Sequence, residues 1–577
     1  MEQVEPRALR ARLVWPDTSL YIMTALLLVL GFYIVYPVLL ITINSFNVAG
    51  IGAASRFGVE NWRVAFQEPG VLGALGNTLL LFALYTSVSF PVAVFIAWTL
   101  ARVRLPFSYG LEFMFWVAFM IPPISSTIGW MGLLDPDLGF INIGIQRLFP
   151  SIVEGPFNVF SVPGIMWAHL MTRAISSKVM LLTPAFRNMD SAMEEASRVS
   201  GASTLKTMIK VTLPVMVPAM VVVFALNMVR LFESFEIEQL LGVPFRFFVY
   251  STKILDLVQS EPPAYGQATA LASLTLGVIA FIIPLQRRLT ERRQFTTVTS
   301  KFKPGLINIG TWRFVVFGLI VLLLVLLIAA PVFSLVLGSF MTRSGYFEVT
   351  PVLTLQHWKT VLADNLFAEA FRNTFLLAGT TAILSPLLFS MIAYVLVRTR
   401  WAGRSLLDSM IWFSAVIPGM LSGLGLLWMF LDTPFLKPLY GTLWPLVLVV
   451  ILQGKLTGVQ LSKAVFLQVG EEMEEASLLC GAGWLRTYFR VWLPLIMPTM
   501  VLLGTFHFVL AASTTSSIIL LATRGTMTLS ILALEYASPG VALREEAGIV
   551  SLFIVGLTVG VALIARALGL RLGVQHN

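Results

Sequence analysis

The sequence predicts an all-α integral membrane protein of about twelve transmembrane helices, arranged as two parallel six-helix repeats. Three observations lead there: a charge content too low for a water-soluble domain, apolar runs of membrane-crossing length, and an internal duplication spanning most of the chain. Of 577 residues, 57% are hydrophobic and 12% charged, with a mean hydropathy of +0.85. A soluble domain carries roughly 25% charged residues. Leu20–Leu40, Leu79–Leu100, Phe314–Leu337, Phe375–Val397 and Ile549–Ala565 are each near the ~20 residues that carry a helix across the hydrocarbon core. Lipid supplies no hydrogen-bond partners, so such runs satisfy their own backbones as helices.

Composition also narrows the function. The single cysteine, Cys480, rules out an intrachain disulfide, and His169, His357, His507 and His576 have no metal-ligand spacing. A net charge of +9 in a membrane protein marks cytoplasmic loops, not nucleic-acid binding. Arg7, Arg10 and Arg12 precede a long first span, which reads as an uncleaved anchor.

The duplication is explicit. Glu194–Pro218 reads EEASRVSGASTLKTMIKVTLPVMVP and Glu474–Pro498 reads EEASLLCGAGWLRTYFRVWLPLIMP, 280 residues apart with 12 of 25 positions identical. Earlier landmarks recur at an offset of 296: Trp62 with Trp358, Asn77-Thr78 with Asn373-Thr374, Arg102-x-Arg104 with Arg398-x-Arg400, and Pro122 with Pro418. The change of offset predicts a surplus of 16 residues around Asp135–Pro156, in a loop on the outer side. The first repeat spans 1–290 with a loop at about 185–213. A basic linker covers 291–312, and the second repeat spans 313–577 with its loop at about 467–493. Spans are expected near 20–43, 77–100, 111–134, 161–184, 214–236 and 266–287. Those of the second repeat are expected near 314–338, 373–397, 407–431, 442–466, 494–517 and 547–568. The linker region holds Arg288, Arg292, Arg293, Lys301 and Lys303 against Glu291. With Arg102/Arg104, Arg398/Arg400/Arg404 and the tail Arg566/Arg571, it predicts cytoplasmic termini and linker.

The loop between the fourth and fifth spans therefore lies on the cytoplasmic side in both halves. It is amphipathic, with Ala196, Val199, Leu205 and Ile209 set among Glu195, Arg198, Lys206 and Lys210. Gly201 and Gly481 each come six residues after the second Glu, where a positive φ breaks the chain between two short helices. Leu213-Pro214 and Leu493-Pro494 then open the next span, with proline in its first turn. Taken alone, such a loop is a surface-lying connector. Two copies kept in step point to function.

These residues resemble the EAA motif of binding-protein-dependent ABC importer permeases: Glu195-Ala196-Ser197, Gly201 and Val211-x-Leu213-Pro214, and again Glu475-Ala476-Ser477, Gly481 and Val491-x-Leu493-Pro494. The third motif position is Ser in both, a departure from Ala. The resemblance implies the type I importer permease fold, with each segment forming a coupling helix seated on a cytoplasmic ATPase subunit. Glu195 and Glu475 would contact that subunit, Ala196/Ala476 and Ser197/Ser477 would pack on it, and Gly201/Gly481 would make the turn. It implies two ATPase copies, an extracytoplasmic binding protein, and a multi-pass position in a bacterial inner membrane. The sequence has no phosphate-binding G-x-x-x-x-G-K-[ST] loop. ATP and Mg are thus expected to be used by the partner, with no cofactor, catalytic residue or metal assigned to this chain.

Fused permeases of this length are most similar to the ferric-iron importer group. Phe235-Glu236-Ile237-Glu238, Leu241-Gly242-x-Pro244 and Tyr265-Gly266-x-Ala268 carry that likeness. Thiamine, polyamine and phosphonate permeases share the architecture. The second half departs from the iron group, with small and hydroxyl residues near Ala511–Ser513. Ionisable groups within spans are costly, at least ~2.5–3.5 kcal/mol each on insertion scales, and so mark candidate paths. Here they are Arg173, Lys178, Arg230, Glu233, Glu236 and Lys455, facing the hydroxyls of Ser513, Thr514 and Ser516. Glu233 and Glu236, three apart, are expected on one helix face. The plain alternative is structural: the basic groups snorkel or pair with acids. Carboxylates suit a hard cation, the basic groups an anion. A gradient-driven transporter of twelve spans is the rival class.

Overall fold

The computed structural model describes residues 17–49, 54–67, 70–277, 305–414, 417–470 and 472–567. The basic N-terminal segment, most of the 291–312 linker and the Arg571 tail lie outside these. Among the described residues the chain is helical, with three isolated β-bridges. Both repeats run in the same order. First helices, Asp17–Ser45 and Trp312–Phe340, lead to short helices, Glu60–Gln67 and Gln356–Ala363. Second helices are Val71–Arg102 and Asn365–Arg398. The fourth positions hold Val162–His169, a π turn at Leu170–Ala174 and Ile175–Arg187, against Trp444–Gln468. Sixth helices are one described over 265–277 and Arg544–Ala567.

Among the described residues seven helices have the length and apolarity of a membrane span, and up to ten do if each of three bent pairs is counted as one span. The fourth helix of the first repeat and the described 265–277 segment are not among them. The 16-residue surplus falls between Leu134 and Val162, where the helix Phe140–Leu148 stands against a single turn, Lys437–Leu439, in the second half.

Three departures from regular helix have sequence causes. The third helices break at the repeated Pro122 and Pro418: Ser108–Met120 meets Pro123–Leu134 at 93°, and Arg404–Ser414 meets Gly419–Asp432 at 112°. Proline lacks an N–H and drives the residue before it to an extended conformation. Proline does not, however, open the fifth helices. They start earlier, at Thr204 and Trp484, and pass through π turns at Met208–Thr212 and Tyr488–Trp492 just before Leu-Pro. A π turn relocates the carbonyl a proline ring would meet and the bond it cannot make. The second-half copy then bends by 79° between Leu495 and Met497.

The repeated Asn-Thr pair is explained by the segment beyond the fifth helix. Asn77 Nδ2 donates to the Phe248 carbonyl (2.9 Å) and Thr78 Oγ1 accepts from the Tyr250 N–H (2.9 Å). Asn373 donates to the Gly525 and Met527 carbonyls, both at 3.0 Å, and Thr374 accepts from the Leu529 N–H at 2.8 Å. Each second helix thus pins the segment leading to the sixth.

The repeats do not pack as separate units. The first helix of each half lies against the third helix of the other. Glycine permits both crossings: a Cβ on Gly129 would sit 2.5 Å from the Pro331 carbonyl, and one on Gly425 would sit 2.9 Å from Pro37 Cβ. Overpacking such a contact costs about 1–3 kcal/mol. Gly129→Val is therefore expected to lower the thermal midpoint of the detergent-solubilised chain. Gly379→Ala, whose added methyl meets nothing within 4 Å, should leave it unchanged or raise it.

Candidate functional site

Two features of the fold are built for function: a pair of protruding loops at one face, and a cavity between the halves.

Each loop is a short helix, Ala192–Val199 or Glu472–Leu479, followed by a turn and the start of the fifth helix. Gly201 and Gly481 have φ of +83° and +76°, in the left-handed region that glycine enters without a Cβ penalty. Ser197 and Ser477 each bond across the turn, to Thr207 and Thr487, both at 3.0 Å. These half-exposed serines tie each loop to the start of its fifth helix. Glu195, Ala196, Glu475 and Ala476 are exposed, with Ser191 Oγ donating to Glu195 at 2.8 Å.

The acid one residue earlier is the one buried. Glu194 accepts from Thr212 Oγ1 at 2.6 Å and lies 3.4 Å from the Arg102 guanidinium. Arg102 also donates to the Met189 carbonyl at 2.7 Å. In the second half Tyr394 OH donates to Glu474 at 2.8 Å, and Arg398 donates to the carbonyls of Phe466, at 2.6 Å, and Val469. Around these anchors the loops expose apolar side chains, with Val199 and Leu479 both 89% exposed. Exposed apolar clusters of this kind mark protein contacts. The linker returns beside the first loop, Ile307 pairing with Val103.

The cavity has a volume of about 720 Å³ and is lined by both halves. Its wall runs from the ends of the fifth helices to Ser405 and Asp408 at the loop-face end of a third helix. Arg173, Lys178, Glu233, Glu236, Ser513, Thr514 and Ser516 all line it. Arg173 crosses between halves, donating to the Phe119 carbonyl (3.2 Å) and Ser513 Oγ (3.4 Å). Lys178 Nζ donates to the Ala174 carbonyl at 2.8 Å and lies 5.7 Å from the Tyr85 ring centroid. Glu236 faces Arg173 and the Ser516 backbone amide of the other half.

Two expectations change. Glu233 and Glu236 do not share a helix face. The fifth helix ends at Val229, a 3₁₀ turn covers Arg230–Glu233, and Phe235 at φ −150°, ψ −57° interrupts before Glu236 opens a new helix. Their convergence comes from the break. Lys455 does not line the cavity: its buried Nζ donates to the carbonyls of Leu452 and, at 3.4 Å, Ser414. Gln453, the counterpart of Arg173, lines it instead, with Gly454, Leu456 and Thr457 of the same helix. The side chain of Arg230 lies outside the described residues.

Sequence reasoning passed over Asp408, which lines the cavity and accepts from Lys463 at 2.9 Å. It also left Glu238 without a role. Buried Glu238 bonds His169 Nε2 at 2.8 Å and accepts from Ser234 Oγ at 2.7 Å, while the Tyr85 ring stacks on His169 at 4.6 Å. This cluster fixes the segment beyond the break against the second and fourth helices. The resulting cavity offers both charge signs and a row of hydroxyls, which suits a small, polar, transiently held solute. Among the described residues the one group of three His, Cys or carboxylate side chains close enough to share a metal lies elsewhere.

The family described as "binding-protein-dependent transport system inner membrane component" matches residues 386–572. The chain is 23% identical over 521 residues to the ferric transport system permease protein FbpB of Actinobacillus pleuropneumoniae, covering 87% of this chain and 71% of that one. It is 28% identical over 453 residues to the "Probable ABC transporter permease protein y4fN" of Sinorhizobium fredii, covering 76% and 77%. A molybdate/tungstate transport system permease protein, WtpB of Pyrococcus abyssi, is 27% identical over 203 residues, covering 35% of this chain and 79% of that one.

Removing one partner of a buried hydrogen bond leaves the other unsatisfied, at about 1–3 kcal/mol. His169→Leu is expected to lower the thermal midpoint sharply, and the double variant H169L/E238L to recover part of the loss. Thermal unfolding in detergent reads both.

Proposed function

We propose that this chain, a fused two-domain permease of the binding-protein-dependent ABC class, imports a small charged solute, ferric iron being the reading best supported. It sits as a multi-pass protein in a bacterial inner membrane with its two loops and both termini in the cytoplasm. The observation that carries the proposal is the pair of loops. Each presents an exposed Glu-Ala step and an exposed apolar knob on a base locked by a buried acid. Two equivalent surfaces on one chain fit two copies of one ATPase subunit. That subunit uses ATP and Mg, and this chain contributes no nucleotide site. An external binding protein delivers the solute to the opposite face.

Closure of the ATPase pair would draw the loops together. Each loop is fixed to its second helix through Arg102 or Arg398, and each second helix pins the segment just beyond the cavity wall. Approach of the loops therefore narrows the cavity at the loop face and separates its walls at the other, which is alternating access. The wall reaching Ser405 and Asp408 supports a resting state open toward the loops.

Ferric iron is supported by the likeness to FbpB and by Glu233, Glu236 and Asp408 in one cavity, since oxygen ligands suit hard cations. An oxyanion is the second reading, favoured by Arg173, Lys178 and the hydroxyl row, and by the likeness to WtpB.

Glu195→Lys with Glu475→Lys is expected to abolish co-purification of the ATPase and ATP-driven uptake, while the chain remains in the membrane with an unchanged thermal midpoint. Uptake at the unaltered rate by that double variant would sink the coupling assignment. In cells, Glu236→Gln should reduce uptake of radiolabelled ferric ion; unimpaired ferric uptake alongside lost molybdate uptake would decide for the oxyanion.

A further inference from the structure

We infer that His357, Glu545 and Glu546 form a binding site for one divalent transition-metal ion, on the face opposite the loops and apart from the central cavity. His357 lies on the short helix Gln356–Ala363, and the two glutamates open the sixth helix, Arg544–Ala567. One ligand atom from each comes within 4.8 Å of the others, and none of the three lines the cavity.

The histidine is oriented for the role. Its Nε2 lies 3.1 Å from the Thr342 carbonyl oxygen, a pure acceptor, so Nε2 carries the hydrogen. Nδ1 then faces Glu546 Oε1 at 2.8 Å. In the neutral ring that would set a lone pair against a carboxylate oxygen, so a positive centre, proton or metal, belongs between them. An imidazole that donates its other N–H to a backbone carbonyl is the arrangement that holds metal-ligating histidines.

Three further observations favour the metal. The second oxygen of Glu546 is buried without a hydrogen-bond partner among the described residues, leaving ligand capacity unused. Arg544, the nearest cation in sequence, is turned away to Asp135 at 2.8 Å and does not neutralise the pair. Glu545 is aimed inward by the Ser344 N–H. The first half closes the equivalent junction without charge. Asn61 stands in the place of His357, donating to the Ser45 and Asn47 carbonyls at 3.3 and 2.7 Å, and Gly266 stands in the place of Glu546. The junction itself needs no acids, so their presence in the second half calls for a ligand. One imidazole and two carboxylates suit Zn²⁺, Mn²⁺ or Fe²⁺, with water completing the shell. A bound ion would tie the short helix to the last span and stiffen this face of the second half.

The test uses the full chain, purified in mild detergent, freed of its affinity tag, stripped with chelator and dialysed against Zn²⁺. One Zn²⁺ per chain is expected, with imidazole nitrogen and carboxylate oxygen in its X-ray absorption shell and a rise in thermal midpoint. Glu545→Gln and Glu546→Gln should each weaken binding by at least ~10-fold, since losing a ligand costs no less than losing an outer-shell partner. His357→Asn, which copies the first half, should abolish it while keeping the metal-free chain monodisperse and equally stable. Zinc retained at full stoichiometry by H357N/E546Q, or none bound by the unmodified chain, overturns the assignment and leaves a proton as the occupant.

Discussion

Arg102 and Arg398 end the second helices, and the arrangement of both halves depends on where those guanidinium groups go. Arg102 is fully buried, a position costly for a charge unless it is paired and hydrogen-bonded. Its partners are the Met189 carbonyl and Glu194, at the entrance of the first loop. Arg398 uses the equivalent carbonyl, Val469, with that of Phe466. Each arginine thereby makes a loop and a 32- or 34-residue helix one mechanical body. At the far end of the same helix, Asn77-Thr78 or Asn373-Thr374 holds the segment just beyond the cavity wall. A displacement of the loop is carried the length of the helix by bonds at both ends, with no need for a softer route.

That linkage would be local to each half if the halves were separate. They are not, because each first helix packs on the other half's third helix at a glycine. The third helices are themselves bent at proline by about a right angle, so they cannot slide past that contact as straight rods would. Motion of one half must rotate the other about these crossings, and the cavity lies between them.

Much of this was legible in the sequence for one reason: duplication makes residues with a shared mechanical task recur. The two loops, the Asn-Thr pairs, the paired prolines and the 16-residue insertion were all visible as repeats. The features that stayed hidden have no pattern to betray them. The fifth helix of the first half ends amid Arg230-Leu231-Phe232-Glu233, with no glycine or proline nearby, so tertiary contacts such as Glu238 with His169 and Ser234 decide the break. Glu194 and Glu474 were overlooked because their exposed neighbours Glu195 and Glu475 are chemically identical, and only burial tells them apart. Lys455 lies between the cavity-lining Gly454 and Leu456, and its side chain reaches the Ser414 carbonyl of the third helix, a direction that sequence position alone does not tell.

The halves agree where they meet the loops and diverge where they meet the solute. Ser197–Thr207 and Ser477–Thr487 are equal at 3.0 Å, and both loops expose the same Glu-Ala step. Around the cavity the first half supplies Glu233 and Glu236 where the second supplies Ser513 and Ser516, and Arg173 where the second has Gln453. Two equivalent surfaces would suit two copies of one partner, met with the same geometry twice. A single small solute imposes no such symmetry. Once both halves lie in one polypeptide, one can carry the charges and the other the hydroxyls. Arg173, reaching from the charged half to Ser513 of the other, and Glu236, on the Ser516 amide, make the two walls one site.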